Sequence, residues 1–265
     1  MTEHVSQGRW IERSGRFGLA TKGVSYLLVA ALALKVAAGG GGETEDQQGA
    51  LQAVADEPLG WALILLVALG FGCHAVWCFV QAVVDREHKG DDAEGLASRL
   101  ADAGEGILYA GLAIVAFVIL AGAGGNSSRK EDKATATVLD LPLGRWLVGL
   151  GGLVIVGIAV YNAHRAVTGS FREELREEAM HGAARPWYVA FGVIGHLARA
   201  VVFGLIGFFL LRAAWQYDPD EAIGLDEALR KLAGGPYGPV LLGAIATGLA
   251  AYGLFCLVQA KYRDV

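Results

Sequence analysis

Six apolar stretches, each of about 20 residues, constrain the fold of this chain more than any other feature. They cover residues 17–38, 61–84, 106–124, 146–163, 187–211 and 239–258. A helix of about 20 residues, rising 1.5 Å per residue, spans the ~30 Å hydrocarbon core of a membrane. In lipid every backbone polar group must be paired within the structure, and a barrel would need short alternating segments instead. The pattern therefore predicts six transmembrane helices.

The composition agrees with that prediction. Hydrophobic residues make up 54% of the 265 residues and charged residues 18%, whereas soluble domains carry about 25% charged residues. The mean hydropathy is +0.43 and the net charge is -5. A mildly acidic chain argues against a nucleic-acid partner, which normally requires a basic surface. We expect an all-α polytopic membrane protein whose surroundings are the lipid bilayer.

A short motif precedes every second apolar stretch. Proline suits the first turn of a helix, because its missing N–H would be unpaired there in any case. Nineteen residues after each proline comes an aromatic residue, which we interpret as part of an interfacial aromatic belt or, alternatively, of a ligand cage. The motifs are Pro58-Leu59-Gly60, Pro142-Leu143-Gly144 and Pro236-Tyr237-Gly238. They predict a structural turn before the second, fourth and sixth helices. The aromatic residues are Trp77, Tyr161 and Phe255.

The first helices of the three pairs align as well. Lys22, Glu105 and Arg199 lie 36, 37 and 37 residues before their respective prolines, and an aromatic residue follows each of them by four positions. The chain is therefore three tandem copies of a two-helix unit, at residues 13–84, 97–166 and 190–262. Because the copies run in parallel, we expect a pseudo-threefold arrangement about an axis along the membrane normal, by analogy with other parallel repeats.

The distribution of basic residues predicts the orientation. Fourteen Lys and Arg residues fall on the side that holds both termini and the second and fourth loops, against eight on the opposite side. Positively charged loops tend to remain in the cytoplasm. We expect a multi-pass protein of the bacterial inner (plasma) membrane with both termini cytoplasmic.

Several motifs of the first repeat resemble those of a known family. They are Arg16-x-Gly18 followed by Lys22-Gly23-x-x-Tyr26, then Gly49-Ala50-Leu51 followed by Pro58-x-Gly60, and a glycine seven residues before Trp77. The chain resembles, from about residue 13 to 260, the bacterial membrane proteins grouped as domain of unknown function 1206, which carry the two-helix unit three times. The middle copy departs from the pattern, with Glu105 where a basic residue is usual. The resemblance implies the architecture and a membrane location, and it implies no activity, cofactor or catalytic residue.

The equivalent residues Lys22, Glu105 and Arg199 form the first candidate site. If the first helix of each pair lines the axis, one carboxylate faces two cations. Ionisable residues at membrane depth are costly, so they pair with one another or line a wet path. The cluster is either a gate or ion-binding ring, or a set of snorkelling side chains and an assembly salt bridge.

Lys35 and Arg212 form a second equivalent pair, each 13 residues after the basic residue of its own helix. Their simplest interpretation is a snorkelling anchor at the outer end of the helix. The alternative is a site for an anionic headgroup or solute, because Lys and Arg bind phosphate and carboxylate groups.

Histidine and cysteine residues within the apolar stretches are the remaining candidates for cofactor chemistry. His74 and His196 could in principle ligate haem, but they are not equivalent in the repeats, and we expect hydrogen-bonded structural histidines. The chain has no Cys-x-x-Cys spacing, and its three cysteines are interpreted as small apolar residues. We therefore expect neither a cofactor nor a metal ion.

The loop 171–180 reads as an amphipathic helix, with apolar residues at i, i+4 and i+8. It is either a solvated helix beside the membrane or a docking surface for a protein partner. Catalytic motifs for phosphate binding, zinc proteolysis or serine hydrolysis are absent from the sequence. We expect a non-enzymatic scaffold or accessory membrane subunit, and as the alternative a small pore or transporter gated near the repeat axis.

Overall fold

A computed structural model of the chain describes residues 2–39, 60–84, 93–121, 143–172, 184–216 and 237–262. These residues form six long α-helices and one 3₁₀ turn, Ser170–Arg172, and the described segments contain no strand. The helices are α1 (Thr2–Ala37), α2 (Gly60–Val84), α3 (Ala93–Leu120), α4 (Gly144–Thr168), α5 (Ala184–Gln216) and α6 (Gly238–Tyr262). The all-α prediction is confirmed.

All six helices are long and apolar enough to cross a membrane. The segments that meet both requirements are Arg13–Ala37, Gly60–Val84, Ser98–Leu120, Gly144–Thr168, Arg185–Gln216 and Gly238–Tyr262. Each segment coincides with one of the six apolar stretches, and the prediction of six transmembrane helices is confirmed. Helices α1 and α3 begin well before their apolar segments, because the polar residues ahead of them continue the helix.

Helices α2, α4 and α6 begin at the glycine of Pro-x-Gly: Gly60, Gly144 and Gly238. Leu143, the residue before α4, has a left-handed backbone with φ of 71°, which an α-helix cannot continue. The expectation that proline occupies the first turn is therefore wrong for α4, which begins two positions later. The three prolines themselves, Pro58, Pro142 and Pro236, and the motif at residues 49–51 lie outside the described residues.

The helices contact one another in a cycle of repeats. Among the described residues, the most extensive contacts join α2 to α3, α4 to α5, and α6 to α1, so each repeat packs against the next and the third against the first. Gly23 of α1 lies against Leu257 of α6, and the equivalent Gly106 of α3 lies against Phe79 of α2. This cyclic packing is what a pseudo-threefold arrangement requires.

Contacts within a repeat depend on a glycine four residues before the charged position. A Cβ added to Gly18 of α1 would lie 2.6 Å from the Cα of His74 in α2. A Cβ added to Gly195 of α5 would lie 2.7 Å from the Cα of Tyr252 in α6. The two helices of repeats one and three therefore approach closely, as helices in membranes do at small residues.

A second glycine supports the same two contacts from the partner helix. Gly70 of α2 lies against Thr21, and the equivalent Gly248 of α6 lies against Ala198. In both cases an added Cβ would clash with the facing side chain. The first and third repeats thus use the same pair of glycines to bring their helices together.

The middle repeat lacks both glycines, and its two helices are not among the pairs that pack extensively in the described parts of the chain. Ala101 stands where the other repeats have Gly18 and Gly195, and Val154 stands where they have Gly70 and Gly248. Gly104 of α3 has open space where a Cβ would lie, and Val154 is 55% exposed. We call this sparsely packed boundary between α3 and α4, where the Ser98 and Tyr161 hydroxyl oxygens lie 3.5 Å apart, the open seam.

Candidate intramembrane ion cluster

The Lys22 ammonium and the Glu105 carboxylate form an ion pair between α1 and α3. Nine residues separate Lys22 from the start of its span at Arg13, a rise of about 13 Å at 1.5 Å per residue. Lys22 is 4% exposed, whereas the Glu105 side chain keeps 24% of its surface exposed. The structure therefore brings together two of the three residues of the sequence-predicted cluster.

Arg199, the third residue, joins the cluster through an aromatic side chain. Its guanidinium donates a hydrogen bond to the Tyr252 hydroxyl of α6 and lies 4.5 Å from the centre of that ring. The Lys22 ammonium lies 5.5 Å from the same ring centre. Tyr252 thus contacts both buried cations, and Glu105 pairs directly with one of them, Lys22.

Aromatic rings lie next to the cluster, one helical turn after each of its charged residues. Tyr26, Tyr109 and Phe203 hold the position four residues after the charged residues, and all three contact a cation: Lys22 lies 5.5 Å from the Tyr109 ring centre, and Arg199 lies 5.8 Å from Tyr26 and 5.2 Å from Phe203. Such contacts stabilise a cation by about 2 kcal/mol or more where water is excluded. Tyr26 and Tyr109 are both buried. The layer next to the charged residues is therefore aromatic.

His74 and Cys78 of α2 complete the cluster on the side of Glu105. The His74 Nε2 lies 3.1 Å from the Glu105 carboxylate and 3.7 Å from the Cys78 Sγ. Both side chains are buried, and the His74 ring meets the Tyr109 ring edge-on, with centroids 4.7 Å apart. Because they lie four residues apart on one helix, His74 and Cys78 share a face.

His196 occupies a different cluster from His74. Its Nδ1 lies 2.7 Å from the Gly192 carbonyl oxygen of the preceding turn. Its ring stacks on Phe171, with centroids 5.3 Å apart, and contacts Phe255 edge-on. Gly192 leaves the space that the Phe171 ring fills. The two histidines that the sequence offers as haem ligands therefore have different surroundings.

Phe171 begins the loop 171–180 and is fully buried. The Tyr188 hydroxyl of α5 donates a hydrogen bond to the Phe171 carbonyl, 3.0 Å away. Gly169 has a positive φ of 72°, which turns the chain after α4 so that Phe171 points inward. Phe171, the first apolar position of the amphipathic helix predicted for this loop, is thus buried in the core, and residues 173–180 lie outside the described residues.

Lys35 and Arg212, the outer basic pair, are both exposed near the ends of α1 and α5. Arg212 makes a long hydrogen bond of 3.4 Å with Gln216, one turn further along α5. The two residues stand apart from the buried ion cluster.

The aromatic residues predicted to form an interfacial belt have different surroundings. Trp77 and Phe255 are 3% and 1% exposed, so they pack inside the protein rather than at a lipid interface. The belt interpretation is therefore wrong for these two residues. Tyr161 is half-buried, and the Arg165 guanidinium lies 5.8 Å from its ring centre.

Sequence reasoning missed Tyr252 and undervalued His74 and Cys78. A signal was present in the repeats: sixteen residues after each proline stand His74, Ile158 and Tyr252, and twenty residues after it stand Cys78, Asn162 and Cys256. Of these six residues, His74, Cys78 and Tyr252 contribute to the ion cluster. The Pro-x-Gly offsets reveal that these positions are equivalent, but not that they face the charged layer.

The comparisons with known proteins agree with this architecture. The sequence matches the family described as Domain of Unknown Function (DUF1206) three times, at residues 17–85, 100–169 and 194–263, which confirms the three tandem copies. The chain is 33% identical over 258 residues to the uncharacterized protein YxxB of Bacillus subtilis (strain 168), covering 97% of this chain and 92% of that protein. No solved structure matches. The chain therefore belongs to the DUF1206 family, whose unit it carries three times over six helices.

Proposed function

We propose that the chain is a non-enzymatic integral membrane subunit, a scaffold or accessory protein that holds other membrane components and carries no haem. One observation supports this above the others: the charged layer at the centre of the repeats is buried among aromatic side chains. Lys22, Tyr109 and Tyr252 are each less than 5% exposed, and the Lys22 ammonium lies 5.5 Å from the centres of both tyrosine rings.

A conducting path needs either room for a hydrated ion or a row of polar groups that replace the water molecules of the ion's hydration shell. The described charges of the cluster instead pair with one another and with aromatic rings. Breaking a buried pair is strongly destabilising, because the remaining charge is uncompensated. The cluster is therefore suited to fixing how the three repeats fit together, which is what a scaffold requires.

Flux through reconstituted vesicles tests the proposal. Purified protein in liposomes should pass K⁺, Cl⁻ and H⁺ no faster than protein-free liposomes. In native membranes solubilised with a mild detergent, the protein should migrate in an assembly heavier than the purified 27.8 kDa chain and containing other polypeptides. Flux above the empty vesicles that disappears in Glu105→Gln would overturn the scaffold proposal.

A small pore or transporter is the second candidate, and the accessibility of Glu105 favours it. A carboxylate whose side chain is 24% exposed within a membrane span, beside buried Lys22 and His74, is the kind of ionisable group that lines ion paths in membranes. Few contacts join α3 and α4 among the described residues, and one of them is between the Ser98 and Tyr161 hydroxyl oxygens, 3.5 Å apart. Flux that depends on Glu105 and survives Lys35→Met would support this candidate.

For location, we propose the bacterial plasma membrane with both termini in the cytoplasm. Six spans return the chain to the side on which it started, and the excess of Lys and Arg lies on that side. A reporter enzyme active only in the cytoplasm, fused after Val265, should be active. Activity instead from a reporter that requires export would reverse the orientation.

A protein partner at the loop 171–180 also stays a proposal, now limited to the residues after Phe171. That loop joins α4 to α5, on the same side as the termini, and it is rich in Arg and Glu. Leu175→Asp is the informative change, because it places a charge on the remaining apolar positions. It should remove the heavier native assembly without changing the amount of protein in the membrane. Glu174→Gln, which leaves the apolar positions intact, is the matched control and should keep the assembly.

A further inference from the structure

Three side chains able to bind a metal ion converge between α2 and α3. The His74 Nε2, the Cys78 Sγ and a carboxylate oxygen of Glu105 all lie within 4.8 Å of one another. His74 and Cys78 are 2% and 4% exposed. Nitrogen, sulfur and oxygen from His, Cys and Glu are the donors that zinc takes in proteins.

Two of the three distances between donor atoms are close to those of a tetrahedral zinc site. With Zn–N and Zn–O bonds of about 2.0 Å and a Zn–S bond of about 2.3 Å, the nitrogen lies roughly 3.5 Å from the sulfur and roughly 3.3 Å from the oxygen. The corresponding distances here are 3.7 Å and 3.1 Å. His74 and Cys78 come from one helix face, and binding requires the sulfur–oxygen separation, which lies within 4.8 Å, to be roughly 3.5 Å.

The repeats supply an internal comparison. The positions of His74, Cys78 and Glu105 have equivalents in the other repeats, and at the α1–α6 interface two of them also lie together, with the Lys22 ammonium 5.5 Å from the Tyr252 ring centre. At the other two interfaces these positions hold a cation and at most one metal-ligating side chain, namely Lys22, Tyr252 and Cys256 at α1–α6, and Arg199, Ile158 and Asn162 at α5–α4. The combination of imidazole, thiol and carboxylate is specific to the interface between α2 and α3.

We propose that His74, Cys78 and Glu105 bind one divalent transition-metal ion of the zinc class. On binding, the S–H bond of Cys78 breaks, the sulfur donates its electron pair to the metal, and the proton passes to solvent, with no change of oxidation state. Glu105 can keep its bond to Lys22, because a carboxylate has about four lone-pair sites. Three protein ligands leave the fourth position open, as in exchangeable rather than closed structural sites. This proposal differs from the sequence-based expectation of no metal ion, and it does so only at the interface between α2 and α3.

Cobalt absorption tests the site in the full chain, purified in detergent without a histidine tag. Co²⁺ should bind at one equivalent and give the thiolate-to-cobalt absorption band of a cysteine-ligated ion, and Zn²⁺ should displace it. The chain has three cysteines, Cys73, Cys78 and Cys256. The double variant C73S/C256S should keep the band, because it leaves Cys78 as the sole thiol and the proposed ligands unchanged. The variant C78S should lose it.

The matched control is C256S, which changes the buried cysteine at the equivalent position of the third repeat. It should bind Co²⁺ as the wild type does, whereas His74→Gln should weaken binding at least about tenfold. No thiolate band in the wild type, or a band that C73S/C256S loses, would overturn the proposal. Because these two results need no change at the site itself, they decide the question even if C78S fails to fold.

Discussion

Lys22 in α1 and Glu105 in α3 form an ion pair across 83 residues of sequence, inside the apolar part of the helix bundle. They occupy equivalent positions of the first and second repeats, where the first copy has a base and the middle copy an acid. The repeat architecture brings the two positions together, and the difference between the copies makes the contact attractive.

Glu105→Ala should therefore destabilise the protein by about 3–5 kcal/mol, because Lys22 is left buried without its partner. The double variant Lys22→Met with Glu105→Leu should regain most of this loss, since neither charge remains. Unfolding midpoints in one fixed detergent measure both effects. An unfolding midpoint of Glu105→Ala equal to that of the wild type would show that the pair contributes nothing.

Tyr252→Phe should cost about 1–3 kcal/mol, because the Arg199 guanidinium loses a buried hydrogen-bond acceptor. Tyr109→Phe is the matched control. The Tyr109 hydroxyl is buried, and among the described residues it has no hydrogen-bond partner, so its removal should be neutral or slightly stabilising. Equal losses of stability in both variants would contradict the assignment of Tyr252 as the acceptor for Arg199.

Gly18→Ala should push α1 and α2 apart, because its Cβ would meet the backbone of His74 at 2.6 Å. Steric overpacking of this kind costs about 1–3 kcal/mol. Gly104→Ala, which changes the neighbouring turn of the equivalent helix at the open seam, should stabilise α3 by up to about 1 kcal/mol through helix propensity. Thermal unfolding of the two variants, compared side by side, should show shifts of opposite sign.

Phe171→Ala should remove a ring that fills the space beside Gly192 and His196, at a cost of about 3–5 kcal/mol. Phe208→Ala on α5 makes the same chemical change at a side chain that is 57% exposed on the outer surface of the bundle, and it should cost far less. Unfolding midpoints of the two variants in detergent provide the comparison. A loss in Phe208→Ala as large as that in Phe171→Ala would argue against Phe171 as an anchor.

Much of the fold could be predicted from local sequence, because hydropathy and spacing are properties of the chain itself. The six apolar stretches correspond to six helices, and the glycine of each Pro-x-Gly motif marks a helix start. The contrast between Gly18 and Ala101 was also present in the sequence. Its consequence for packing becomes clear only in the structure, where Gly18 faces the backbone of His74. A missing Cβ allows two helices to pack closely only where a second backbone lies beside it.

The candidate site was predictable in part. The repeat offsets single out Lys22, Glu105 and Arg199, and the structure joins the first two directly and the third through Tyr252. The spacing of apolar residues in the loop 171–180 predicts an amphipathic helix, but the turn at Gly169 directs Phe171, its first residue, into the core. Periodicity describes which residues share a face and carries no information about what that face meets.

By itself the sequence determined that six apolar helices form, that they come as three copies, and that one charged position per copy recurs. Only the tertiary structure decided that the repeats pack in a cycle with an open seam at the middle copy, and that His74, Cys78 and Glu105 converge. The physical reason is one of range. Helix formation and membrane insertion depend on residues within one segment, whereas ion pairs, close helix contacts and ligand geometry depend on side chains from segments far apart in the chain.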